Sequence, residues 1–211
     1  MRATSHVGAG IQRCRRADWA DHQAAGLRVG REQSLTAIAG RAAIGVLAVA
    51  SVTTLLIISI SPFPFSVRSI HEATGQRLLD VLFAYSVDEG RVVLGKLGAE
   101  GRSAYSTYIA FDAVFACCYG ALFAALMFRS MGASRFAKLA MTVPLVTAFA
   151  DLAEGGATTV ALSRFPSTPP AAIAAASTFG VVKHVGFWCS AAGVVLAAIA
   201  QRATTHRRVP S

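Results

Sequence analysis

Charge is scarce in this sequence. Asp, Glu, Lys and Arg make up 15% of its 211 residues, against roughly 25% in ordinary soluble domains. With 54% hydrophobic residues and a mean hydropathy of +0.52, the shortfall argues against an ordinary soluble domain and implies an integral membrane protein. Acids are the scarcer sign, 11 against 20 Lys and Arg, leaving a net charge of +9. On a soluble chain that excess would suggest nucleic acid. No base- or phosphate-reading motif accompanies it, and the basic residues collect at the two tails and in one short loop, so the lipid bilayer is the expected partner and nucleic acid is not. Cysteine is rare too. Cys14, Cys117, Cys118 and Cys189 form no C-x-x-C pair and match no zinc spacing. Strand alternation and a Gly-rich nucleotide loop are both missing, so no cofactor is expected.

What the chain does have is charge-free length. Residues 42–61 supply about 20 uncharged residues, enough to cross roughly 30 Å of hydrocarbon. Residues 104–128 form a second span, interrupted only by Asp112. Residues 136–162 form a third, containing Pro144, and residues 178–200 a fourth, carrying Lys183 and His184. Residues 65–103 differ: five basic residues (Arg68, Arg77, Arg91, Lys96, Arg102) balance five acids (Glu72, Asp80, Asp88, Glu89, Glu100). Here Ile70, Leu78, Leu79, Leu82 and Phe83 predict an amphipathic helix. Ser86-Val-Asp-Glu89 is a capping-box pattern that opens a second short helix over residues 87–97, with Gly98 as its stop. The expected fold is all-α: a polytopic four-helix membrane bundle over residues 39–200 with an extracytoplasmic helical hairpin between spans 1 and 2. Residues 1–38 read as a disordered basic cytoplasmic tail and residues 201–211 as a second basic tail. The uncompensated basic segments (the two tails and residues 129–138) predict N-in, C-in insertion in a bacterial inner membrane.

The stretch Asp151-Leu-Ala-Glu154-Gly155-Gly156 puts two carboxylates on one helical face inside an apolar segment. Carboxylates in hydrocarbon are costly and normally face a bundle interior or a wet cavity. In the expected topology Asp112 lies about 12 Å below the outer end of its span, and Asp151 and Glu154 about 10–16 Å below theirs. Lys183 and His184 fall in the outer half of the fourth span. These ionisable residues therefore share a depth, which points to one polar pocket with Lys183 as counter-ion to Asp151 or Asp112 and His184 sharing a proton with Glu154. Three acids against one lysine leave an excess of carboxylate that needs a proton or water, which suits acid–base chemistry or proton coupling. A metal held by Asp112, Asp151, Glu154 and His184 is chemically open, but the adjacent lysine favours charge pairing, and no metal is expected. Pro144 predicts a kink, and Gly155-Gly156 allow close helix approach or local unwinding.

Ala84-Tyr-Ser-Val-Asp-Glu89, Leu97-Gly-Ala-Glu-Gly-Arg102-Ser-Ala-Tyr105, Asp112, Tyr119-Gly120, Asp151-Leu-Ala-Glu154 and Lys183 together resemble an uncharacterised family of small four-span bacterial membrane proteins. Its pattern continues D-x-x-E-N where this chain has Gly155. The resemblance covers about residues 75–185 and implies that Arg102, Tyr105 and the hairpin belong to the same unit as Asp112, Asp151, Glu154 and Lys183, with Arg102 capping the excess carboxylate. It implies no activity. The candidate acid/base residues are thus Asp112, Asp151 and Glu154, and the candidate binding residues Arg102, Tyr105, Tyr119, Lys183 and His184. Three functions stay open. The pocket binds or acts on an amphipathic or isoprenoid-like small molecule; or the chain is a small proton-coupled permease, dimerising through Gly120-x-x-x-Ala124 and residues 191–200; or it is an accessory subunit whose ion pairs only fix the bundle.

Overall fold

The structure, a computed structural model, describes residues 38–131 and 135–206. The N-terminal tail expected over residues 1–38 lies almost wholly outside the described residues, as does the C-terminal tail from residue 207. The chain divides into two compact units, Met1–Gly45 and Val46–Ser211. Of the first, the described part is the largely exposed residues 38–45. The second holds the bundle and the site.

The described residues are mostly helical and contain no strand. Four helices are long and apolar enough to cross a membrane: α1 (Ile38–Ile60), and those that lie in α4 (Gly98–Met131), α5 (Arg135–Ser163) and α6 (Pro170–His206). Two short helices, α2 (Val67–Thr74) and α3 (Val87–Lys96), lie between α1 and α4. At 1.5 Å per residue the 34 residues of α4 and the 37 of α6 measure about 51 and 55 Å. Both therefore outrun the hydrocarbon core and leave helical ends for α2 and α3 to pack on.

The connecting segment is not the single amphipathic helix expected from Ile70 to Phe83. The Ser66 side chain caps α2 by accepting from the Ser69 amide at 3.1 Å, and Gly75 ends it at φ +66. That left-handed conformation suits glycine. The chain then runs extended into a 3-10 turn at Leu79–Val81. Leu78 and Leu79 are still fully buried, so their apolar character reflects insertion of a turn and not a helical face. The capping box does form: Ser86 N–H donates to Glu89 Oε2 at 2.7 Å, and Glu89 N–H to Ser86 Oγ at 3.2 Å. Gly98, at φ +67, lets the chain turn from α3 directly into α4, which starts before its apolar run.

Two kinds of packing divide the bundle. At the end covered by α2 and α3, Ile58, Ile70, Leu78, Leu79, Leu94, Leu97, Leu162 and Ile173 form an apolar core with Tyr105 and Tyr108. Deeper in, helices gain nothing from burying apolar side chains against lipid-like surroundings, so contact relies on small residues and polar pairs. Gly120 of α4 lies so close to α5 that a Cβ there would stand 2.6 Å from Ala148 Cβ. Gly186 of α6 meets the Thr147 side chain of α5 as closely, and Gly90 of α3 packs on Ile173 of α6. Pro144 sits fully buried within α5. Outward, α1 presents Val46, Val49, Val52, Leu56 and Ile60, an apolar face that suits lipid.

Candidate functional site

Asp151 and Glu154 lie one helical turn apart on α5, on the face that also buries Thr147 and Thr158. Lys183 projects from the facing stretch of α6, where Gly180 leaves room for the Glu154 carboxylate: a Cβ on Gly180 would stand 2.8 Å from Glu154 Oε1. Lys183 Nζ is 3.0 Å from Asp151 Oδ1 and 2.7 Å from Glu154 Oε2. It is closest, at 2.5 Å, to Asp80 Oδ1 in the 3-10 turn.

Asp80 is the member that sequence reasoning missed. Its Oδ2 accepts from the Tyr108 hydroxyl at 2.5 Å, and its backbone N–H donates to the Tyr105 hydroxyl at 3.1 Å. Tyr105 and Tyr108, three residues apart on α4, thus turn both hydroxyls to the same turn. Charge counting over residues 65–103 could not single Asp80 out among ten compensating charges. The available signal was Leu78-Leu79 immediately before it, together with two tyrosines at helical spacing whose hydroxyls need partners when buried.

Hydrogen bonding is uneven across the cluster. Lys183 meets hydrogen-bond geometry at Asp80, and Tyr119 donates to Asp151 Oδ2 at 3.1 Å. Asp151 Oδ1 and both Glu154 oxygens are buried and accept no hydrogen bond, although Lys183 stands within ion-pair distance of each residue. Asp112, 7% exposed, has no hydrogen bond or ion pair among the described residues. Three carboxylates, Asp80, Asp151 and Glu154, therefore share the Lys183 ammonium, and Asp112 makes no ion pair with it. Burial also pushes the nearby Tyr85 hydroxyl well above its ordinary value, and the Glu154 and Asp80 charges reinforce this, so it stays neutral.

Oxygens of Asp80, Asp151 and Glu154 lie within 4.8 Å of one another, close enough to hold a metal ion. The position such an ion would take is the one Lys183 Nζ holds, 2.5–3.0 Å from an oxygen of each. The donor set as it stands is a lysine-centred ion cluster.

The remaining expected residues fall in different places. Arg102 does not reach the carboxylates. Its guanidinium donates to the Leu94 carbonyl at 3.1 Å and lies 4.1 Å over the Phe165 ring, where it ties α4 to the end of α3. His184 is not paired with Glu154: its Nδ1 is 2.8 Å from the Gly180 carbonyl, and its ring faces Phe83 at 5.9 Å. Tyr105 touches the cluster only through the Asp80 backbone. Asp112 makes no ion pair with Lys183 and lines open space.

That space is a cavity of about 370 Å³ bounded by α1, the 3-10 turn, α4 and α6. Asp80, Asp112, Asp151, Lys183 and His184 form its polar part. Phe115, Tyr119, Phe187 and Trp188 form an aromatic wall whose neighbouring centroids are 5.0, 5.3 and 5.9 Å apart, and Leu55 and Ile58 of α1 face it. A second cavity of about 330 Å³ lies between α4 and α5 over Gly155 and Gly156, and Asp112 and Asp151 line it as well. Both volumes lie at the small end of the range for small-molecule sites. No family model, no curated protein and no solved structure matches the chain, so its site is read from its own geometry.

Proposed function

We propose that this multi-pass membrane protein binds an amphipathic or isoprenoid-like small molecule in the cavity between α1, α4 and α6, and acts on it by acid–base chemistry. The observation that carries the reading is Asp112: a buried carboxylate with no hydrogen bond or ion pair among the described residues, lining a cavity with aromatic and aliphatic walls. Structural ion pairs are normally satisfied, and a carboxyl left open to a cavity is placed to exchange a proton with whatever fills it. Asp151, held by Tyr119 and Lys183, and Glu154, behind it, are the acids that would replenish Asp112. Insertion N-in and C-in in a bacterial inner membrane, and kinship with the four-span family, belong to the same proposal and draw on the basic tails and the shared motif.

Mass spectrometry of the protein released from lipid nanodiscs tests it. One amphiphile per chain should accompany the wild type and be depleted in Asp112→Asn. Protein that is empty in every preparation, with a phenotype indifferent to Asp112→Asn, would refute it. A purely structural role is favoured by a different observation, the clamping of Asp80 by Lys183, Tyr108 and Tyr105. On that reading Asp80→Asn lowers stability and no ligand is ever found.

A further inference from the structure

The charge pattern of the cavity narrows what can occupy it. Lys183 is committed to Asp80, Asp151 and Glu154, all within 3.0 Å. Asp112 lies outside that set, 7% exposed and without a hydrogen bond or ion pair among the described residues, and it lines the cavity. An anionic head group would meet three carboxylates, Asp80, Asp112 and Asp151, and one already-shared ammonium. A neutral hydroxyl could hydrogen-bond Asp112 but would bring no positive charge to a cavity lined by Asp80, Asp112 and Asp151. A divalent metal needs several oxygen donors converging on one point, and the group of acids close enough to do this excludes Asp112. The rings of Tyr119, Phe187 and Trp188 line the same cavity, with Tyr119–Phe187 and Phe187–Trp188 centroids 5.3 and 5.9 Å apart, both pairs edge-to-face. Aromatic faces attract cations, and quaternary ammonium groups in particular are held by such walls. Leu55 and Ile58 of α1 supply an aliphatic side on which a hydrocarbon tail can lie.

We propose that the occupant is a cationic amphiphile, a lipophilic amine or quaternary ammonium compound, with its nitrogen between Asp112 and the Tyr119–Phe187–Trp188 wall and its tail along α1. This rests on the cavity being a ligand site, as proposed above, and adds the sign of the ligand's charge. The ligand supplies a second positive charge, for Asp112, with which Lys183 makes no ion pair.

The experiment uses the full chain in zwitterionic-lipid nanodiscs, with empty discs subtracted, and three radiolabelled probes of equal tail length. These are decyltrimethylammonium, its uncharged isostere with carbon in place of nitrogen, and decanoate. The ammonium probe should bind saturably and at least tenfold more tightly than the isostere, with decanoate weakest. Asp112→Asn should cost the ammonium probe at least tenfold and leave the isostere unchanged; Trp188→Leu should cost the ammonium probe about threefold. Should Asp112→Asn fail to fold, the wild-type comparison of ammonium with isostere, and Trp188→Leu, still decide. Equal binding of ammonium and isostere by the wild type, or a preference for decanoate, overturns the cationic assignment and leaves the ligand site standing. Absence of saturable binding by all three probes removes both.

Discussion

Replacing Lys183 by methionine keeps most of the side chain's length and apolar stem but deletes the one ammonium, among the described residues, within ion-pair reach of Asp80, Asp151 and Glu154. The three contacts share a single Nζ, so their loss does not triple. Removing one partner of a buried pair costs about 3–5 kcal/mol, because the other is left charged and unsolvated. The site offers a local readout of that loss. Arg77 is exposed, whereas the next three residues, Leu78, Leu79 and Asp80, are buried. Trypsin can cut after Arg77 only when the turn swings out, and Lys183 is what holds Asp80 in. Under conditions where cleavage follows the open population, a loss of about 3 kcal/mol raises the cleavage rate roughly 100-fold. The exposed Arg68–Glu72 pair on α2, with side chains 62% and 61% exposed, is the internal control. Pairs of that kind contribute at most about 1 kcal/mol, so Glu72→Gln should leave cleavage after Arg77 nearly unchanged. If Lys183→Met elutes as a folded, monodisperse protein and is cut after Arg77 no faster than wild type, the cluster does not hold the turn and the energetic argument fails.

Other outcomes follow from the same geometry. Gly180→Ala should displace the Glu154 carboxylate, 2.8 Å from the new Cβ, and cost about 1–3 kcal/mol; the loss should shrink in a Glu154→Ala background, read by thermal melting in detergent. Gly120→Ala should be destabilising by about as much, since its Cβ would meet that of Ala148 at 2.6 Å, and Ala148→Gly in the same chain should restore the melting temperature. The Ser86 backbone N–H, and then its hydroxyl, hold the Glu89 carboxyl below its ordinary value. Its contribution is therefore present above the ordinary glutamate range and lost as pH falls through the lower folded value. Glu89→Gln should flatten the stability–pH curve below about pH 4.5, and an unchanged slope would remove the capping box from the account.

Much of this fold is visible in the linear sequence because lipid imposes a simple rule: a spanning segment must be long, apolar and helical. Asp151, Glu154 and Lys183 stand out for the same reason, as charges where charge is expensive. Between the spans that rule is suspended. Asp80 sits among solvated charges of both signs and has no local mark of burial beyond the leucines before it. Its place is fixed by hydroxyls and an ammonium 25, 28 and 103 residues away. Gly75 divides the expected amphipathic helix because one left-handed residue outweighs an apolar pattern that an inserted turn satisfies equally well. The family resemblance implies that Arg102 caps the carboxylates. In the fold a nearer carbonyl and an aromatic face claim it.

The separation of 103 residues between Asp80 and Lys183 also orders events during synthesis. Asp80, Asp112, Asp151 and Glu154 all precede the lysine, so every acid of the cluster is made before its counter-ion exists. Until α6 arrives, the earlier helices carry acidic groups that have only tyrosine hydroxyls, protons or water to turn to. The last helix is therefore the keystone of assembly. A chain stopped before Lys183 should be a substrate for quality-control proteolysis, however well its first three spans insert.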